Sequence, residues 1–177
     1  MDRILDAAKR CFASRGVEPT EMHHIAAEAE VSRETLYQYF PDRDALQAAY
    51  SQRQALEVAA EAFSTIHPDD PLDRQLVEVV MAVLRAVRSD PVLAERFGSD
   101  NVGAAVAFAH RSEVVRGIAE TFFVELSRDA QEAAAAWILR VVVGFLIMPA
   151  VDERYERLLL ERFVAPAFAG TRRLTWR

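Results

Sequence analysis

Ten residues and the proline after them constrain this chain most. VSRETLYQYF, residues 31–40, runs directly into Pro41. At about 100° per residue, a helix here puts Leu36 and Phe40 on one side, with Tyr39 at their edge. Arg33, Glu34, Tyr37 and Gln38 fill the opposite arc, and Thr35 borders it. Arg33 and Tyr37 are four apart, as are Glu34 and Gln38, so each pair stacks along one face. Ser32 is a good N-cap, because its oxygen can accept from a free backbone N–H. Pro41 stops the helix. The result is a helix of about two turns, anchored on one side. Its other side offers a guanidinium, an amide, a hydroxyl and a phenol, groups that recognise base edges and phosphates in a major groove. Taken alone, the pattern also suits a polar surface helix.

The flanking residues narrow the choice. Residues 2–14 form a first helix, with Ile4, Leu5, Ala8, Cys11 and Phe12 as an apolar stripe and Gly16 closing it. Thr20 is positioned to cap a second helix at 21–29, with Met22, Ile25, Ala26 and Ala29 inward. A turn at Glu30 leads into the segment above, and Asp42 caps a long helix at 43–63. Two short helices joined by a tight turn, after a supporting helix, describe a helix-turn-helix. Ala26 is small where the second short helix must pass close, and Ile25, Ala29, Val31 and Leu36 supply the apolar contacts between them.

The rest of the chain is also helical in pattern. HPDDP at 67–71 is the clearest break, with Asp70 as cap and Pro71 as first helical residue of a segment reaching 88. Asp90-Pro91 repeats that start signal, and Gly98 closes a short helix. Residues 99–127 read helical although Gly103 and Gly117 interrupt them. Ser127 caps a helix at 128–148 that Pro149 ends, and a last helix covers 152–169. No strand alternation appears, and only six glycines are spread over 177 residues. The expected fold is all-α, with about nine helices. The expected division is an N-terminal three-helix helix-turn-helix domain at 1–46 and a C-terminal helical domain at 47–177.

Composition excludes several alternatives. Cys11 is the only cysteine, so an internal disulfide and a cysteine-rich zinc site are ruled out. His23 and His24 are adjacent and point about 100° apart on a helix, unlike a metal-binding pair four apart. There is no glycine-rich phosphate loop and no nucleophile motif, so neither catalysis nor a cofactor is expected. The near-apolar run WILRVVVGFLIMPAV at 137–151 is shorter than the ~20 residues that span a bilayer, and it contains Arg140. With no N-terminal signal pattern, a soluble, cytoplasmic protein without a membrane partner is expected. The net charge is −6, and residues 1–45 hold six basic and nine acidic residues. Any DNA binding must therefore come from locally placed groups rather than from a basic domain.

RILDAAKRCFASRG, then HHIAAEAEVSRETLYQYFPDRDAL, resembles the DNA-binding domain of the tetracycline-repressor (TetR) family over about Ile4 to Leu46. The TLYQYF core, followed by proline and a short polar linker, is its most specific part. The resemblance implies that Arg33, Thr35, Tyr37 and Gln38 reach bases or the sugar-phosphate edge, and that Tyr39 and Arg43 meet phosphates. A helix N-terminus also favours an anion beside Arg43, and Thr20 is a further phosphate candidate. Three positions depart from the family. Glu30 stands where glycine is common, and a left-handed non-glycine residue costs roughly 1 kcal/mol. Glu34 stands where a small residue or proline is common, and it could accept from a cytosine amino group or repel phosphate. His23 stands where arginine is frequent.

The resemblance further implies a homodimer on a double-stranded DNA operator, and a small-molecule effector bound in an apolar C-terminal cavity that releases DNA. Candidate lining residues are Met81, Phe97, Phe108, Phe122, Trp137 and Phe145, the large apolar groups of that half. Ordinary core packing is the competing reading of each. The helix at 128–148 is apolar nearly all round after Trp137, so one core cannot cover it. Trp137, Val141, Gly144 and Met148, with Tyr155, Leu158, Leu159 and Arg162 of the last helix, form the expected four-helix dimer contact. The function expected is a ligand-responsive regulator, most simply a repressor. The alternative is a ligand-independent DNA-binding adaptor or an activator.

Overall fold

The structure, a computed structural model, describes residues 1–97, 103, 106–107, 112–124 and 126–169. The elements among these residues are all helical, nine α-helices followed by a π turn and a 3-10 turn, as the pattern predicts. The chain divides into two compact units, Met1–Ala55 and Leu56–Arg177.

The first unit holds α1 (Asp2–Arg15), α2 (Met22–Glu28), α3 (Arg33–Tyr39) and the start of α4 (Arg43–Phe63). α1 buries Ile4, Leu5, Ala7, Ala8, Cys11 and Phe12, and it packs on α2, which contributes Met22, Ile25 and Ala26. Leu36 and Phe40 anchor α3, and Leu46 and Tyr50 of α4 complete the core. The Phe12 ring meets Tyr50 edge-on at 5.0 Å. Each fully buried large apolar side chain contributes about 1.5–3 kcal/mol.

Capping fixes where these helices start. Ser32 Oγ accepts from Thr35 N–H at 3.1 Å, and Asp42 Oδ1 accepts from Ala45 N–H at 2.7 Å, both as expected. The cap of α2 is different: Glu21, not Thr20, holds that position. Glu21 forms a capping box with His24, whose Nδ1 accepts from the Glu21 N–H at 3.1 Å. The α2–α3 turn is a Schellman motif. Val31 N–H donates to Ala26 and Glu30 N–H to Ala27, with Glu30 left-handed at φ 52°.

The second unit contains the end of α4, then α5 (Leu72–Ser89), α6 (Pro91–Arg96), α7 (Glu113–Phe122), α8 (Arg128–Ile147) and α9 (Glu153–Leu159). A π turn (Leu160–Val164) and a 3-10 turn (Ala165–Phe168) follow α9. Leu72, Leu76, Val80, Met81 and Leu84 of α5 pack with Phe122, Phe123, Ala135, Ile138, Leu160 and Phe168. Phe123 stacks on Phe168 at 5.0 Å. Asp90 caps α6 as expected, accepting from Val92 and Leu93 N–H.

Two boundaries differ from expectation. Pro71 lies just outside α5 in extended conformation and caps it with its carbonyl, which accepts from Arg74 and Gln75 N–H. The final helix is regular only to Leu159. Pro166 has no N–H to give to the residue four before it, so the chain rewinds through the π turn, where Ala165 N–H reaches Leu160 O.

Polar links tie the second unit together. Arg88 grips Glu156 with two bonds of 2.7 Å and also donates to Phe145 O, while Ala150 N–H donates to Glu156. Arg157 binds Glu78 in the same two-pronged way, at 2.6 and 3.0 Å. Arg88 holds the Glu156 carboxyl below the usual carboxylate range, and Arg157 does the same for Glu78. α8 is 20 residues long and apolar enough to cross a membrane by length and composition alone, so it exceeds the 15-residue run seen in the sequence. Only Ala134, Ala135 and Ile138 of it are buried, and Val141, Val142, Phe145 and Leu146 are partly covered by the core.

Candidate functional site

α3 divides as its periodicity demands. Leu36 is completely buried, and Phe40 just beyond the helix is buried too. Arg33, Glu34, Tyr37, Gln38 and Tyr39 are exposed, and Thr35 is half-buried. Tyr39 stands out in solvent rather than at the edge of the core. About two turns of helix thus carry five exposed side chains on a base that cannot rotate without exposing Leu36. The Thr35 hydroxyl lies 3.0 Å from Ser32 Oγ, so it belongs to the cap as well as to the exposed surface. Glu34 folds back toward its own backbone N–H and the Ser32 hydroxyl, and these donors lower its pKa. Its carboxylate therefore lies at the start of α3.

The remaining candidates divide. His23 is exposed at the start of α2, with Nδ1 3.0 Å from Glu21 Oε2. Its ring lies 3.9 Å from that of His24, so the two adjacent imidazoles swing together despite their helical offset. Desolvation, then the charges of His23 and Arg15, hold His24 below its ordinary pKa. That keeps Nδ1 available as the capping acceptor.

Thr20 and Arg43 are placed differently from expectation. Thr20 is 0% exposed, and its hydroxyl donates to Gly16 O at 2.7 Å and Cys11 O at 3.4 Å. Its side chain is thus turned inward, away from any phosphate. Arg43 points back to the α1–α2 connection. Nη2 donates to Val17 O at 2.7 Å and Glu18 O at 3.2 Å, and Nε donates to Thr20 O at 3.1 Å. A guanidinium committed to three carbonyls is not aimed at a phosphate. The partners lie 23 to 26 residues away in sequence, which no local spacing rule detects.

The effector candidates are mostly core. Met81 and Phe122 are buried, Phe145 packs on the same cluster, and Phe97 is half-buried. Phe108 lies outside the described residues. Trp137 is 49% exposed and lies outside that cluster, with the other dimer candidates. There the placement is coherent: Gly144, Met148, Tyr155, Leu158 and Arg162 are exposed, and Val141 and Leu159 are half-buried. A Cβ built on Gly144 would meet nothing within 4 Å. Phe163, 68% exposed, was missed, although its spacing of four from Leu159 could have flagged it.

The family described as bacterial regulatory proteins, tetR family, matches residues 4–50. An HTH-type transcriptional regulator of Mycobacterium tuberculosis is 37% identical over 169 residues, covering 93% of this chain and 83% of the relative. The crystal structure of the TetR family repressor AlkX from a Dietzia strain, implicated in biodegradation of n-alkanes, aligns with TM-score 0.69 at 23% identity. That alignment covers 94% of this chain and 93% of AlkX. The transcriptional regulator FadR from Bacillus subtilis, crystallised with stearoyl-CoA, aligns with TM-score 0.59 at 17% identity, covering 90% and 97%. At these identities the two structures speak to the fold.

Proposed function

The chain belongs to the TetR family of bacterial regulatory proteins, and we propose that it is a ligand-responsive repressor that binds a near-palindromic operator as a homodimer. It is a transcriptional regulator and not an enzyme. The observation that carries the reading is α3, whose apolar edge is buried while Arg33, Glu34, Tyr37, Gln38 and Tyr39 face solvent. In the proposed complex this face enters the major groove, with Arg33, Tyr37 and Gln38 on base edges and Tyr39 on the backbone. Thr35 borders the same face, and His23 approaches the backbone from the start of α2. The DNA-binding domain is assigned to residues 1–46, and the effector and dimer domain to 47–177. A cytoplasmic location goes with that role, and no cofactor is invoked.

Dimerisation rests on the uncovered face of α8 and α9. Trp137, Met148, Tyr155 and Leu158 are all exposed, and the open space at Gly144 admits a facing helix closely. Four charged residues, Arg128, Asp129, Glu132 and Arg140, punctuate α8, which suits a partner helix better than lipid. A two-fold pairing of these faces presents two α3 helices to a symmetric site.

The effector is proposed to be small and apolar or amphipathic, and to release DNA by changing the spacing of the two α3 helices. The interior of the second unit is aliphatic and aromatic, and AlkX is implicated in n-alkane biodegradation while FadR was crystallised with stearoyl-CoA, both alkyl-chain molecules. Gln75 supports an amphipathic molecule. Its Nε2 donates to Asp70 O and His67 O, while its buried Oε1 has no partner among the described residues. A ligand hydroxyl or amide would satisfy that acceptor.

Nuclease footprinting of DNA upstream of the protein's own gene tests this reading. One protected region with two symmetric half-sites, released by a long-chain acyl-CoA, is expected. Protection of one isolated half-site would contradict the dimer, and protection insensitive to every apolar effector would favour the ligand-independent alternative.

A further inference from the structure

We propose that Arg43 is a positioning residue for DNA recognition: it clamps the α1–α2 connection to the start of α4, and so sets the angle of α3, instead of binding phosphate. α1 ends at Gly16, whose φ of 84° turns the chain out of helical geometry. The next residues leave carbonyls that no helix can satisfy. The Thr20 hydroxyl donates to the carbonyl of Gly16, and at longer range to that of Cys11 inside α1. Arg43 takes up those of Val17, Glu18 and Thr20 through one rigid, planar group. The turn Thr20 N–H to Val17 O at 3.2 Å keeps these carbonyls close enough for a single guanidinium.

The position of the clamp matters. On the far side of the loop, α2 begins at the Glu21–His24 capping box, one residue beyond Thr20. On the near side, Arg43 follows the Asp42 cap and stands four residues after Tyr39, the end of α3. The helix-turn-helix is therefore tied at both ends by the same side chain. Leu36 and Phe40 decide which face of α3 is buried, and Arg43 fixes the segment on which α3 ends.

This inference rests on the DNA-binding reading, and its test separates the two. Arg43→Lys keeps the charge and the long stem but cannot reach three carbonyls with one planar fork. The full-length protein is compared with Arg43→Lys and Arg43→Ala by operator titration across a salt series and by amide hydrogen exchange. Both variants are expected to lose about tenfold or more in affinity, the scale of hydrogen bonds from a charged donor. The slope of log affinity against log salt should stay that of the wild type. Exchange should accelerate at the amides of residues 17–22. A lysine variant with wild-type affinity would overturn the proposal, as would a slope smaller by about one in the alanine variant, the mark of a lost phosphate contact. Unchanged exchange would overturn it without any DNA. If exchange accelerates and the wild type prefers no DNA sequence, the clamp stands and the DNA-binding reading falls.

Discussion

Glu30 shows what a single residue must tolerate. The Schellman turn between α2 and α3 needs a left-handed residue, and Glu30 adopts φ 52° with a side chain that resists it. The strain was foreseeable from its place in the turn. Glu30→Gly should raise unfolding stability by about 0.5–1 kcal/mol, measured by denaturant titration. No gain would mean that the glutamate is held by something other than its backbone. Arg43 is the opposite case. The family resemblance and its place at a helix start assign it an outward role, but the loop carbonyls of residues 17, 18 and 20 draw it inward. Thr20 was misjudged for the same reason, since its hydroxyl serves α1 rather than capping α2.

At the scale of elements, α3 was legible because everything that makes it a helix is local: cap, period and stop. The end of α9 was less so. Its apolar period continues past Pro166, but the missing N–H converts the last turns to π and 3-10 geometry. The links between elements were not legible, because Arg88 and Glu156 are 68 residues apart. Glu156 is 1% exposed, with Arg88 partly open to solvent. Glu156→Gln should therefore cost about 1–3 kcal/mol, below the figure for a fully buried pair. The pH dependence has a definite sign. The Glu78 and Glu156 carboxyls are depressed in the fold, so their stabilisation is complete above the unfolded value of about 4.3. It is lost as pH falls through the lower folded values. Thermal melts of the wild type should decline more steeply in acid than those of Glu156→Gln. Parallel declines would show that the pair does not sense pH.

For the molecule as a whole, the question is what covers α8. Its all-round apolar pattern was visible in the sequence, and the fold leaves Trp137, Met148 and Phe163 in the open. Which apolar residues line an effector site was not visible, because pocket and core use the same side chains; Met81 and Phe122 pack as core does. If α8 and α9 form the dimer contact, Trp137→Asp combined with Leu158→Asp should give a folded monomer in sedimentation velocity. A dimer that survives both charges would move the interface elsewhere. Loss of the dimer should also lower operator affinity by far more than loss of a single base contact, because two linked α3 helices bind with a high effective concentration.

Everything proposed for this protein turns on whether the exposed face of α3 recognises a DNA sequence. Fluorescence anisotropy on DNA tiled across the gene's upstream region, near physiological salt, tests it most directly, with Tyr37→Ala and Arg33→Ala as controls. Tight, saturable binding to one near-palindromic tile is expected, with a loss of about 1–3 kcal/mol of specific binding in each variant. Tight binding that both variants retain in full would contradict it, because the recognition surface would then lie off α3.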